Sequence, residues 1–211
     1  MRRTPFRKIA AYAIRTYTAP DDLVIDPMSG TGDVLVESVL AGRMAIGIEH
    51  QRYWVDRALE RIAGATDAGA PGFATALHGS GQDPAALIGH ESRGKVALIL
   101  TAPQNGTTSL PEDQTPASNI EDLAAGVASS VKSLLPLLRP SGRVAIACWP
   151  VRHEGVRVDM PSLLADALMN YGTTAADHIG IDNTCGTLLL FPAHDLRESM
   201  PGMVDLPGIH S

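Results

Sequence analysis

Several things are scarce in this sequence, and each scarcity removes a class of answer. Only two cysteines, Cys148 and Cys185, occur in 211 residues. Both fall in apolar, strand-like runs, so they read as buried thiols suited to a reducing cytoplasm rather than as a disulfide framework. The seven histidines show no metal-ligand spacing with one another or with the cysteines, so no metal centre is expected. No apolar run reaches the roughly 18 residues that a membrane span needs. Aromatic residues make up 4% of the chain, and basic charge is in deficit, with a formal net charge of −6. That balance disfavours an unaided binder of duplex DNA, because phosphate neutralisation drives most such affinity.

What is present is an ordinary globular composition and a clear alternation. The basic start, MRRTPFRKIAAYAIRTYT, carries Phe6, Ile9, Ala10, Ala13, Ile14 and Tyr17 at helical spacing, and no small-residue cleavage site follows. It predicts a structural helix with Thr4 as N-cap and Pro5 at the first helical position. Strand-like runs are expected at 22–26, 44–49, 72–79, 96–103 and 144–150, with two more at roughly 175–181 and 187–192. Helical patterns separate the earlier ones: from Gly32 to about Ala41, from Tyr53 through Ile62, and from about Ser162 to Tyr171. A longer one places Ile120, Leu123, Ala124, Val127, Val131, Leu134 and Leu138 on one face and stops before Pro140 and Gly142. Such alternation implies a mostly parallel sheet covered on both faces. The closely spaced last two strands imply an antiparallel hairpin at one edge. One domain over 1–195 and a loosely held tail over 196–211 are expected.

The most specific segment is DLVIDPMSGTGDVLVESVLAG followed by RMAIGIEH. A strand ends in Asp26, a turn with Gly30 and Gly32 follows, a helix begins, and a second strand ends in Glu49. Acids at two successive strand ends around a Gly-rich turn form a nucleoside-cofactor arrangement, in which the second acid takes the ribose hydroxyls. A dinucleotide site would want a third glycine where Leu35 stands, and a pyrophosphate at the helix N-terminus. Asp33 puts a negative charge there instead, so Asp26 and Asp33 suit a cationic ligand such as one carrying an ammonium group. A Walker loop is excluded because no Gly-Lys-Ser/Thr follows. The plainer alternative is a turn whose glycines serve only the backbone.

With those residues in view, the stretch from Thr4 to Ile62 resembles the DNA amino-methyltransferase family, whose loop reads DP(F/M)xG(S/T)G. Related RNA guanine methyltransferases share that loop. The resemblance implies a Rossmann-like S-adenosylmethionine (SAM) methyltransferase fold, with a seven-stranded, mostly parallel sheet, an antiparallel last strand and helices on both faces. It further implies that Asp26, Met28, Gly30 and Gly32 line the methionine part of SAM and that Glu49 binds its ribose. The family's third strand usually ends in Gly-Asp, the acid accepting the adenine amine. This chain reads HGSGQD, which places Ser80 at that position, with Gln82 and Asp83 as substitutes.

The family's fourth strand ends in a tetrapeptide such as DPPY, NPPY or SPPY; here it reads Thr101, Ala102, Pro103 and Gln104. An exocyclic base amine is a poor nucleophile because its lone pair is delocalised into the ring. Two acceptors drawing its protons localise that lone pair, and an aromatic fourth residue stacks on the base. The Thr101 hydroxyl and the Ala102 carbonyl match the two acceptors. Gln104 offers no stacking face, a loss worth about 1–3 kcal/mol. The competing reading is that this strand end is catalytically silent.

Three further features bear on the substrate. Residues 104–119 form a long polar loop of the kind that serves as lid or substrate contact. Trp149, Arg152, His153 and Arg157 follow the fifth strand, either flanking a substrate or forming a mixed surface loop. Arg2, Arg3, Arg7, Lys8 and Arg15 make the N-terminus basic, for phosphate contact or as a solvated helix face. The expected partner is a nucleic acid, DNA or RNA, reached directly or through a partner subunit, because no residues are left for a separate target-recognition domain. A homo-oligomer is an open alternative, and no membrane contact is expected. The leading function is methyl transfer from SAM to an exocyclic amine of a nucleobase. The alternatives are a SAM-binding, non-catalytic protein acting through a partner and a methyltransferase for a small metabolite.

Overall fold

A computed structural model of the chain describes residues 5–79, 84–103, 120–153, 156–169, 177–181 and 186–193. Thr4 and the 196–211 tail lie outside them. The order of elements is α1 (Pro5–Tyr17), β1 (Leu23–Asp26), α2 (Asp33–Leu40), β2 (Met44–Glu49), α3 (Arg52–Asp67), β3 (Phe73–His78), α4 (Pro84–Ile88) and β4 (Val96–Thr101). Then come α5 (Ile120–Leu134), β5 (Leu138–Cys148), β6 (Val151–His153), β7 (Val156–Val158), α6 (Met160–Met169), β8 (Asp177–Ile181) and β9 (Gly186–Pro192).

Seven strands form one sheet in the order β3-β2-β1-β4-β5-β9-β8. The first five run parallel, and β9 is antiparallel to both β5 and β8. The β8–β9 pair is the edge hairpin that the sequence predicts, with the last strand turned inward, between β5 and β8.

Alternate residues of the strands sort onto two faces, as the pleat requires. Val24, Ala45, Leu98, Leu100, Ala145 and Leu190 pack with Ile9, Ile14, Val34, Leu35, Val55 and Ile62 of α1, α2 and α3. Ile25, Ile48, Ile99, Val144, Ile146 and Phe191 pack with Val127, Val131, Leu134, Leu164 and Leu168 of α5 and α6. Every residue of β4 is buried, as expected of a central strand covered on both sides. Ion pairs tie the elements: Arg7 Nε donates to Glu37 Oε1 at 2.7 Å, joining α1 to α2. Arg139 grips both carboxylate oxygens of Asp22 at 2.6 and 2.9 Å. Arg7 is thus engaged within the fold rather than solvated. Cys148 is buried, and that burial pushes its thiol up to about 12; Cys185 lies outside the described residues.

Two expectations need correction. Leu138 is not helical: α5 ends at Leu134, a 3₁₀ turn covers Leu135–Leu137, and Leu138 opens β5. Pro136 removes a backbone donor there, and no α-helix continues through it. The segment after the fifth strand is not an irregular loop either. Val151–His153 and Val156–Val158 pair antiparallel. Trp149 packs against the α1–α3 cluster, whereas Arg157 is exposed.

Candidate functional site

The strand order reverses direction beside β1, whose neighbours are β2 and β4. In open α/β sheets, the crevice beyond the C-terminal strand ends at such a switch point is where ligands bind. Asp26 ends β1, Glu49 ends β2 and Thr101 ends β4. The sheet therefore brings together three side chains spread over 76 sequence positions.

The loop between β1 and α2 is pinned by its own backbone. Ser29 N–H donates to Ile48 O at 2.9 Å and Gly32 N–H to Ser29 O at 2.7 Å, while Gly32 O accepts from Val36 N–H at 2.9 Å. Gly30 has φ 48° and Gly32 φ 78°, in the left-handed region that glycine enters without steric cost. A Cβ on Gly32 would stand 2.9 Å from the Ala58 Cβ of α3. The close approach that requires glycine at position 32 is thus to α3. Gly47 in β2 is equally constrained, because a Cβ there would fall 2.7 Å from both Ser29 Cβ and Leu35 Cδ1.

Glu49 organises the rim. Its Oε2 accepts the Gly30 N–H at 3.0 Å and its Oε1 the Gln51 N–H at 2.8 Å. His50, whose side chain is exposed, brings Nδ1 within 2.9 Å of Oε1. A carboxylate has about four acceptor sites. Among the described residues, two are held by loop N–H groups and one by an exposed and displaceable imidazole, leaving one. That capacity fits a vicinal diol.

Asp26 is fully buried. Burial, the largest influence, pushes its carboxyl up to about 7. The Met28 N–H, donating to Asp26 Oδ1 at 3.1 Å, and the nearby Thr101 hydroxyl pull in the opposite direction, and the charges of Glu49 and Asp33 add to the rise. Thr101 is buried as well, with its hydroxyl against the Asp26 carboxyl. Ser29 Oγ is buried without a partner. A buried hydroxyl with no partner among the described residues, beside a switch point, is a group that a bound polar ligand would satisfy. Ala102 is buried and Pro103 half-buried.

Asp33 has a different role from the one its position suggests. Arg61 Nη2 donates to Asp33 Oδ1 at 2.6 Å and Arg61 Nη1 to Thr31 O at 2.5 Å. An internal cation already meets that acid, so Asp26 is the acid left for a cationic ligand. Sequence reading missed Arg61, Ser29, His50 and the Gln51 N–H. Only Ser29 and His50 carried a signal, by adjoining named site residues. Gln104, Ser80, Gln82 and Asp83 lie outside the described residues, as does 104–119. Among the described residues, no cluster of metal-ligating side chains occurs, and no helix is long and apolar enough to cross a membrane.

Solved structures share this architecture over most of the chain. A putative rRNA methylase from Clostridium thermocellum aligns with a TM-score of 0.63 at 13% identity, covering 91% of this chain and 98% of that one. The fold is that of SAM-dependent methyltransferases. A putative methyltransferase from Streptococcus mutans, solved with S-adenosylhomocysteine, aligns at TM-score 0.58 and 14% identity, covering 91% and 99%. A longer protein named a possible exported protein, from Bordetella parapertussis, aligns at TM-score 0.59 and 13% identity over 89% of this chain and 66% of its own. No family model matches the sequence, and no curated protein does.

Proposed function

We propose that this chain is a SAM-dependent methyltransferase whose substrate is an exocyclic amine of a nucleobase in DNA or RNA. The observation that carries the reading is the convergence of Asp26, Glu49 and Thr101 on the switch-point crevice, with the buried Ser29 hydroxyl beside them unpartnered among the described residues. The solved structures of the same fold include the rRNA methylase and the S-adenosylhomocysteine complex named above, which supports SAM as the cofactor.

The residues present fit that cofactor. Glu49 would take the ribose diol through its spare acceptor site and the one that His50 occupies. Asp26 would face the ammonium end, and a cation beside it would restore its ionised form. When bound, SAM supplies a sulfonium methyl group as electrophile. The chain's task is then to hold an amine in line and draw its protons. The Thr101 hydroxyl, buried against the Asp26 carboxyl, is the side-chain acceptor, its oxygen lone pairs free to take an amine proton, and the Ala102 carbonyl is the second. Thr101 ends β4, a central strand buried along its whole length, and Ala102 follows it, a placement that suits acceptors which must not reorganise. A partner subunit supplying base recognition reconciles a nucleic-acid substrate with the net charge of −6.

Calorimetry with S-adenosylhomocysteine, followed by transfer of radiolabelled methyl from SAM to DNA and RNA, tests the reading. Binding is expected to weaken by roughly 10- to 100-fold in Glu49→Ala, the scale of a charged hydrogen bond at about 1.5–3 kcal/mol. No binding at millimolar ligand would remove the cofactor assignment. Binding with transfer to neither nucleic acid would leave the cofactor and remove the substrate.

A further inference from the structure

Among the described residues, one edge of the sheet lacks the charge, proline and bulge that often keep an edge solitary. β3 is the outermost strand at that end, and its sequence, FATALH, contains no lysine, no acid and no proline. It pairs with β2 in unbroken register from Met44↔Phe73 to Glu49↔His78, so no bulge twists it away. Edge strands usually carry such protection because their free N–H and C=O groups invite another strand. Here the invitation stands, and Phe73, at 69% exposure, is the most exposed large apolar residue of the described chain. Its register partner Met44 is exposed too.

The backbone directions fix how another strand would sit. Phe73 N–H donates to Arg43 O and Gly79 N–H to Glu49 O, so the odd-numbered residues of β3 turn their amides toward β2. Ala74, Ala76 and His78 therefore point theirs outward. A second β3 running antiparallel about a two-fold axis through Thr75 would pair Ala74 with Ala76 of the other copy, and Ala76 with Ala74, each exchanging both hydrogen bonds. In the same register Phe73 lies opposite Leu77, Leu77 opposite Phe73, and Thr75 opposite Thr75. The exposed Phe73 thus meets the half-buried Leu77 of the other copy, and the central pair is one of those favoured across antiparallel strands. The strand is complementary to itself.

We propose that β3 is a dimerisation edge, at which two copies of this chain join their sheets into one continuous fourteen-stranded sheet with Thr75 at the two-fold. The inference is independent of the cofactor reading. Because the paired strands are antiparallel, the C-terminal strand ends of the two copies point in opposite directions, and the two crevices open away from each other.

The test uses the full chain. Light scattering after size exclusion should give twice the mass of the 22.3 kDa chain. Thr75→Lys, which sets two like charges face to face, should return the mass to that of one chain with its melting temperature at low concentration unchanged. In a chain carrying Cys185→Ser, Thr75→Cys should form a reducible dimer on mild oxidation, because non-hydrogen-bonded antiparallel partners have Cα atoms about 4.5 Å apart. Ala76→Cys in the same background should not. A wild type that stays monomeric at about 100 μM, or a dimer untouched by Thr75→Lys and not cross-linked through position 75, would overturn the proposal.

Discussion

The guanidinium of Arg61 on α3 lies 2.6 Å from the carboxylate of Asp33 at the first turn of α2, and its other arm holds the Thr31 carbonyl. The loop that forms the floor of the crevice is thereby clamped from the outside by the next helix. Arg61→Ala should lower unfolding stability by about 1–2 kcal/mol, a value already discounted because the pair is partly exposed. Arg61→Lys should recover only part of it, since one ammonium cannot reproduce a planar fork on two acceptors. Urea titration checks this, and an unchanged midpoint in Arg61→Ala would show that the clamp holds nothing.

The buried carboxyl of Asp26 makes stability depend on pH in an unusual direction. Its value is about 7 in the folded chain against a reference of 3.8. Between those limits the folded state keeps a proton that the unfolded state has released, so stability falls as pH rises from about 4 to about 7 and levels off above. The contribution approaches about 1.4 kcal/mol per pH unit. Asp26→Asn keeps an acceptor for the Met28 N–H and removes the titration. The difference in unfolding free energy between the two chains should therefore widen across that window. Parallel curves would contradict the burial argument.

Thr101→Val should separate folding from turnover. The hydroxyl is buried against the Asp26 carboxyl, so replacing it with a methyl group should cost no more than about 1.5 kcal/mol of stability, the net worth of one hydrogen bond. Methyl transfer should nevertheless fall by roughly 10-fold or more, with S-adenosylhomocysteine affinity held, the pattern of a contact made with the reacting amine. Full activity in this variant would remove Thr101 from the mechanism.

Gly47→Ala tests how tightly the loop is pressed on β2. The added methyl group would meet Ser29 Cβ at 2.7 Å, and overpacking of this kind costs about 1–3 kcal/mol. Because Ser29 and Leu35 flank the glycine turn, cofactor affinity should fall along with the melting temperature. A variant as stable as wild type would mean that the loop yields readily.

The sequence was most legible where local chemistry decides structure. MAIGIE became β2 with both boundaries as expected, and the Asp26-to-Gly32 turn formed with positive φ at both glycines. Legibility failed where apolar residues crowd without a period. Leu134, Leu135, Leu137 and Leu138 fit a buried helix end or a buried strand start equally well, and spacing cannot tell them apart. It failed again where partners are distant in sequence. Nothing local in Asp33 announces Arg61, and nothing in Asp22 announces Arg139, because the fold creates those pairs. The Gly47 requirement is of the same kind: a glycine in a strand says that something comes close, but not what.

The position of β9 has a consequence for how the molecule is made. The strand at Gly186–Pro192 fills the gap between β5 and β8, so β5 must wait for it. During synthesis at about 5–20 residues per second, the apolar edge of β5 stands bare for seconds after it leaves the ribosome. Throughout that interval the nascent sheet offers a sticky, unfinished margin to any neighbouring chain. That interval is where aggregation is expected to compete with folding, a kinetic hazard that equilibrium stability does not reveal.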